Sequence, residues 1–338
     1  MSDLRILHAP VEIAGQMGML SRAQRKLGYC AYSCSYANSW LGYQCDISLY
    51  LEQVSSRFHR QLRKSVFFTN AVLRYNTFHF HFGGSLLPLN CDLPVLKALG
   101  KKMIMQYWGS DIRRVSIAQR KNKFARVKVE DEKVILDRIK RVARYIDTAV
   151  VASQEASLYV EDLFKKVVII RQAIELDLYS PAVPSVQRTK PVIVHAPTNS
   201  GIKGTKYICR AIERLQKKYD LEFILVQGIP HQQAKQIYQR ADIIVDQLLL
   251  GGYGIFAIES MALGKPVICY ISEYRKEHYP SDLPIVSANP DNIYDHLKLL
   301  VENPALRHEL GLRGRRFVEK YHDPLVIATQ LIELYKGL

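Results

Sequence analysis

Residues 251–268 read Gly251-Gly252-Tyr253-Gly254-Ile255-Phe256-Ala257-Ile258-Glu259-Ser260-Met261-Ala262-Leu263-Gly264-Lys265-Pro266-Val267-Ile268. Three glycines in four positions leave the backbone open to close approach, and the apolar run after them predicts a helix over 254–263. Gly264, with Pro266 just beyond it, is a helix stop. Strand-like runs flank this unit at 243–247 and 267–271. Strand, glycine turn, helix, strand is the repeating unit of a parallel sheet covered by helices. Ligands of such sheets sit beyond the carboxyl ends of the strands, which is where these glycines fall. Glu259 is the only acid on its helix, and burying it is costly unless something bonds to it. A sugar or ribose diol would serve, and so would a backbone N–H or a basic side chain.

Upstream, a strand at 192–196 runs into Pro197-Thr198-Asn199-Ser200-Gly201-Ile202-Lys203-Gly204-Thr205. A lysine between glycines at a strand-to-helix turn can hold an anion, helped by the amides of the helix start. The G-x4-G-K-S/T spacing of a Walker loop is absent, and a surface lysine that merely starts a helix would look the same. Helices are predicted after Gly204 and over 231–241, 292–301, 305–321 and 325–335, with another strand at 223–226. Before them, Pro181, Pro184 and Pro191 mark a stiff link. The earlier half predicts strands at 4–8, 29–36, 77–82, 103–107, 148–152 and 167–170, with helices at 54–73, 93–99, 132–145 and 155–164. The expected organisation is therefore residues 1–183 as one Rossmann-like domain, 184–321 as a second, and 322–338 as a helix crossing back to the first.

The chain has 338 residues and a net charge of +15, a balance that favours anionic partners. Seven basic residues, Arg113, Arg114, Arg120, Lys121, Lys123, Arg126 and Lys128, lie in a stretch without an acid. It holds one aromatic, Phe124, and no nucleic-acid-binding signature occurs anywhere. Nucleic acid is therefore not expected as a partner, whereas peripheral contact with an anionic membrane is. No apolar run reaches the roughly 18 residues that cross a bilayer, and no secretory signal opens the chain, so a cytoplasmic protein at the membrane's inner face is expected. The six cysteines show no zinc-ligand spacing and read as reduced thiols. A nicotinamide enzyme is disfavoured, since Gly15 and Gly18 do not make G-x-G-x-x-G.

GGYGIFAIESMALGKPVI resembles the donor-binding signature of the retaining glycosyltransferases of family 4, which have the GT-B fold. IVHAPTNSGIKGT, FILVQG, YQRADIIVDQL and IIRQAIELDLYSP agree in order and spacing. The Gly15/Gly18 turn, FHFHFGG and QYWGSDIRR are similar to the acceptor side of that family. The resemblance implies an α/β fold of two doubly wound domains facing each other across a cleft. It implies transfer of a sugar from a nucleotide diphosphate sugar, with retention and without a metal or other cofactor. The acceptor it leaves open includes lipid-linked and cell-envelope glycans.

Carried onto this sequence, Lys203 would neutralise the diphosphate, and Gly254 and Ile255 would offer it backbone N–H groups. Glu259 would hold the ribose hydroxyls, and His81 and Asp111 would face the reacting centre. Asn199, Gly204, Gln227, Gln247, Gly251, Gly252, Tyr253 and Arg171 complete the expected donor side, and Gly15, Gln16, Gly83, Gly84, Gly109 and Ser110 the acceptor side. Two positions depart from the family pattern: Gly251 stands where its first glutamate is expected, and Pro197 where an arginine is common. The donor sugar is then held differently, by Gln247, Asn199 or Arg171. The alternative is a partner subunit that binds a nucleotide sugar without turning it over.

Overall fold

The computed structural model describes residues 3–38, 42–128 and 131–338. Two compact units divide the chain: Met1–Arg114, Val129–Ala173 and Pro324–Leu338 form the first, and Val115–Lys128 with Ile174–Asp323 the second. The units exchange segments along the chain, so residues 115–128 and 174–183, read from the sequence as part of the first domain, lie in the second unit.

The first unit holds β1 (Arg5–Ala9), β2 (Cys30–Ser35), β3 (Ile47–Ser48), β4 (Thr77–His81), β5 (Lys102–Gln106), β6 (Thr148–Val151) and β7 (Lys166–Ile169), in the order β3-β2-β1-β4-β5-β6-β7. All pairs are parallel, with His8 opposite His79 and His81 opposite Gln106. After β1 the chain turns through Gly15 (φ 79°) into the helix Gln16–Lys26. The Glu12 carboxylate accepts the Met17 and Gly18 amides at 3.4 and 3.1 Å, satisfying donors that a helix start leaves open. A Cβ at Gly18 would stand 2.2 Å from the Gln44 carbonyl oxygen, so only glycine fits. The helix Pro324–Lys336 buries Ile327, Leu331, Ile332 and Tyr335 in the same core as Leu20 and Ile104.

The second unit holds β8 (Val192–His195), β9 (Glu222–Leu225), β10 (Ile243–Val245), β11 (Val267–Ile268) and β12 (Ile285–Val286), ordered β12-β11-β10-β8-β9 and parallel throughout. The helix Thr205–Gln216 turns Ile208, Ala211, Ile212 and Leu215 onto one face of this sheet. The helix Ile255–Ala262 packs on the opposite face, with Ala257, Ile258 and Met261 beside Val194 and Ile244. The strand order reverses between β8 and β10, the position at which open parallel sheets bind their ligands.

The elements expected from the sequence occur with ends shifted by a few residues, with two differences. The helix expected over 155–164 is a single turn, Gln154–Ser157, capped by the Ser153 hydroxyl and followed by tight turns. The strand expected over 267–271 pairs only at Val267 and Ile268. Among the described residues no helix is long and apolar enough to cross a membrane.

Candidate functional site

Lys203 ends the one-turn helix Ser200–Lys203 that follows β8. The Asn199 side chain starts that turn by accepting the Ile202 amide at 3.1 Å. Gly204, at φ 82°, ends it, and a Cβ there would press on Leu248 and Leu249 at 3.2 Å. The Lys203 ammonium is thereby held at the end of β10, where it donates to Asp246 Oδ1 at 2.8 Å and to Gln247 Oε1 at 2.6 Å. The Asp246 side chain is fully buried and that of Lys203 is 16% exposed.

Asp246 Oδ2 also accepts the Gly254 amide at 3.3 Å, and Lys203 Nζ lies 4.0 Å from the point where a Gly254 Cβ would be. The ammonium after β8 and the amide that opens the helix Ile255–Ala262 therefore meet around one carboxylate. Apart from Asp246 on the Gly254 amide, no side chain among the described residues caps that helix start, so the amides after Gly254 stay open to an anion. Ammonium groups have three donors, and among the described residues Asp246 and Gln247 take two of them.

The glycines each make room for something. Gly251 adopts φ 71°, and a Cβ there would stand 2.9 Å from Asn122 Nδ2 and 3.1 Å from Ser272 Cβ. Asn122 comes from the segment 115–128 and donates to the Leu249 carbonyl at 2.7 Å. A carboxamide thus occupies the space into which the family's first glutamate would project. At Gly252 a Cβ would lie 1.6 Å from Arg275 Nη1, so the guanidinium of a buried arginine rests on the glycine backbone. The Gly252 carbonyl accepts from Gln247 Nε2.

Glu259 has protein partners: its Oε1 accepts from Tyr179 Oη and from His231 Nε2, each at 2.8 Å, with the carboxylate 5% exposed. Tyr253, expected on the donor side, instead turns its ring into the core against Phe317 and Tyr279 and meets His322 Nε2 with its hydroxyl at 3.2 Å. Gln227 is exposed and donates to Ser200 Oγ at 2.8 Å. Ile255 is partly buried against the core. Behind the site, His195 Nδ1 donates to the Val245 carbonyl at 2.8 Å, so Nε2 is the acceptor for the Thr205 hydroxyl at 2.9 Å. Burial pushes the His195 imidazole down to about 4, which keeps it neutral beside Lys203.

In the first unit the sequence-derived residues support turns. Gln16 clamps Ala173 by giving its N–H to the carbonyl at 2.8 Å and taking the amide at 3.0 Å. Asp111 is buried and accepts the Trp108 and Gly109 amides at 3.0 and 2.7 Å. Burial pushes its carboxyl up to about 6 against the pull of those bonds. Gly109 lies at φ 116°, and a Cβ on it would touch Arg113 at 3.0 Å. Gly15 and Gly83 have left-handed backbones, and a Gly84 Cβ would press on Pro10 at 3.3 Å. Ser110 and Arg171 are half-buried.

His81 is fully buried at the end of β4, its Nε2 3.2 Å from His8 Nδ1 and its ring stacked on Trp108 at 5.8 Å. His79 shares the cluster and bonds to Tyr335 Oη at 2.6 Å. Ring nitrogens of His8, His79 and His81 lie within 4.8 Å of one another, the one such convergence found among the described residues that could ligate an ion. Burial and mutual repulsion hold His79 and His81 well below the usual imidazole range.

Sequence reasoning did not assign Asp246, Arg275, His231 or Asn122 to the site. Asp246 had a signal, an acid immediately after the apolar run 243–245. Asn122 and Arg275 had none, since their positions depend on where distant segments dock.

Residues 201–317 match the family model for glycosyl transferases group 1. No curated protein matches the sequence. Solved structures with similar folds include sucrose-phosphate synthase from Thermosynechococcus elongatus, 14% identical, covering 98% of each chain at a TM-score of 0.64. Anabaena HepE in complex with UDP and glucose is 13% identical, covering 99% of this chain and 100% of its own at 0.66. The catalytic domain of starch synthase IV from Arabidopsis thaliana, bound to ADP and acarbose, is 10% identical, covering 99% of each at 0.67. With two parallel-sheet units of Rossmann-like order, the fold is of the GT-B kind.

Proposed function

We propose that this chain, whose residues 201–317 carry the glycosyl transferases group 1 pattern, moves a sugar from a nucleotide diphosphate sugar to an acceptor, with retention and without a metal ion. The observation that carries the reading is the meeting of Lys203 Nζ and the Gly254 amide around Asp246 at the switch point of the second sheet. The structural neighbours bound to UDP or ADP lend support to a nucleotide donor.

In this reading the third Lys203 N–H and the amides of the helix Ile255–Ala262 receive the diphosphate. As the anomeric C–O bond breaks, negative charge grows on the leaving phosphate oxygen while the sugar passes through an oxocarbenium-like state. Donors fixed in advance stabilise that growing charge more than the ground state, which lowers the barrier. The acceptor hydroxyl attacks the face that the leaving group departs from and gives its proton to a leaving phosphate oxygen. Asp246 offsets the charge of Lys203, and the Arg275 guanidinium against Gly252 places a second cation beside the same loop. Glu259, held by Tyr179 and His231, takes the ribose hydroxyls. Asp111 and His81 position the turns of the acceptor side, Asp111 by accepting backbone amides and His81 by pairing its Nε2 with His8. The acceptor is a lipid-linked or cell-envelope glycan, reached by a cytoplasmic protein peripheral to the inner face of a membrane.

One observation favours a second reading, a binding subunit without turnover: Asn122 fills the space of the glutamate absent at Gly251. Incubating the purified chain with UDP-, ADP-, GDP- and dTDP-sugars, with chelator present, separates the two. Release of free sugar or transfer, with the donor's anomeric configuration kept in the product by NMR, supports the enzyme; binding without any release supports the subunit.

A further inference from the structure

The helix Arg57–Arg74 is turned inside out for a surface helix of a globular unit. Ala71 is the one residue of it that is buried, and Phe67 and Phe68 are half-buried. Its outward side carries Phe58, Leu62, Val66 and Leu73, with 72%, 49%, 54% and 74% of their surface exposed. On a helix of 3.6 residues per turn these four fall within an arc of about 80°. Thr69 is in that arc and no charged residue is. Exposed Arg63 and Arg74 lie about 60–80° beyond one edge of the stripe, Arg63 also donating to the Leu49 carbonyl, and exposed Arg57 lies about 100° beyond the other. Between Glu52 and Asp92 the sequence contains no acid.

Single exposed apolar residues are ordinary; an aligned stripe bordered by cations is the pattern of a helix lying in a membrane interface. We propose that this helix docks the first unit on an anionic lipid surface, with Phe58, Leu62, Val66 and Leu73 in the acyl boundary and Arg57, Arg63 and Arg74 on lipid phosphates. A second copy of the chain fits the surface poorly, because it would bring the same cations together with no acid in the segment to pair them. The other basic run, 113–128, is less suited: Lys121 packs on Tyr274, Phe124 on Tyr270, and Lys123 pairs with Asp291 in the second unit. This assignment rests on the membrane placement in the proposed function and deepens it, while vesicle binding, read without any donor, fails or succeeds independently of sugar transfer.

The test is co-sedimentation of the full chain with phosphatidylcholine vesicles and with vesicles containing about a third phosphatidylglycerol. Two variants accompany it, Phe58→Ser/Leu62→Ser/Val66→Ser and Arg57→Gln/Arg63→Gln/Arg74→Gln, checked for unchanged melting and circular dichroism. Wild-type protein sediments with the acidic vesicles only. The stripe variant binds them at least about tenfold more weakly, and the charge variant binds more weakly with a flatter salt dependence. Should the stripe variant fail to fold, the charge variant carries the test. Equal binding by wild type and variants, or no binding by wild type, overturns the proposal. So does a lipid-free wild-type dimer that the stripe substitutions convert to monomer, which assigns the surface to a second copy.

Discussion

Lys203 Nζ stands 2.8 Å from Asp246 Oδ1, and the other oxygen of the same buried carboxylate takes the Gly254 amide. One acid therefore orients both groups that the donor reading needs. It also means that a lysine substitution removes more than a ligand contact, because it leaves a buried carboxylate without its cation.

Lys203→Ala is expected to lower stability by about 3–5 kcal/mol, the usual effect of breaking a buried pair from one side. Lys203→Met combined with Asp246→Asn recovers most of that loss, since the amide needs no counter-charge. Nucleotide sugar binding stays lost in both. Thermal melts and calorimetric titrations of the single and double variants read the two effects separately.

Gly252→Ala places a methyl 1.6 Å from Arg275 Nη1 and must displace the guanidinium. The expected result is a folded protein destabilised by about 1–3 kcal/mol, in the range of overpacked interiors. Arg275→Ala in that background recovers folding but not donor affinity. Recovery of both would remove Arg275 from the site.

Gly251→Glu restores the carboxylate of the family pattern but demands a left-handed backbone and the space of Asn122 Nδ2. Transfer by this variant is expected to fall below wild type, and Asn122→Gly added to it to recover part of the loss. Initial rates with the preferred donor give the comparison.

Much of this site could be read from residue order. Lys203, Gly254 and Glu259 are announced by strand ends, glycine turns and a lone acid on an apolar helix, all local signals. The strands β3 and β12, two residues each, carry too few side chains to show a period. The attachment of residues 115–128 to the second unit is invisible along the chain, because their neighbours in sequence belong to the first sheet. The direction of the Tyr253 ring is hidden for a related reason: within a glycine loop, position alone does not say whether a ring faces ligand or core, and here Phe317 and His322 draw it inward.

Acid should weaken the fold. His8 and His195 are held down to about 4 by burial, against 6.5 when unfolded. Between those values the unfolded chain binds more protons, so each costs about 1.4 kcal/mol per pH unit as the pH falls below 6.5. Asp111, raised from 3.8 to about 6, acts oppositely, its contribution being present at low pH and lost as the pH rises through that window. Glu12 and Asp92, also raised by burial, act with Asp111, and with His79 and His81 likewise held low the four buried imidazoles outnumber these three carboxyls. Urea unfolding at pH 7 and pH 5 should show the loss, and a His195→Gln protein should show a shallower one.

The most direct test titrates the purified chain with nucleoside diphosphates and the matching monophosphates by calorimetry, beside the Lys203→Met/Asp246→Asn protein. A diphosphate grip at Lys203 and the start of the helix Ile255–Ala262 predicts that wild type prefers the diphosphate by at least about tenfold, the factor for 1.4 kcal/mol, and that the folded double variant loses this preference. An undiminished preference in that variant, or a wild-type chain indifferent to the second phosphate, contradicts the account.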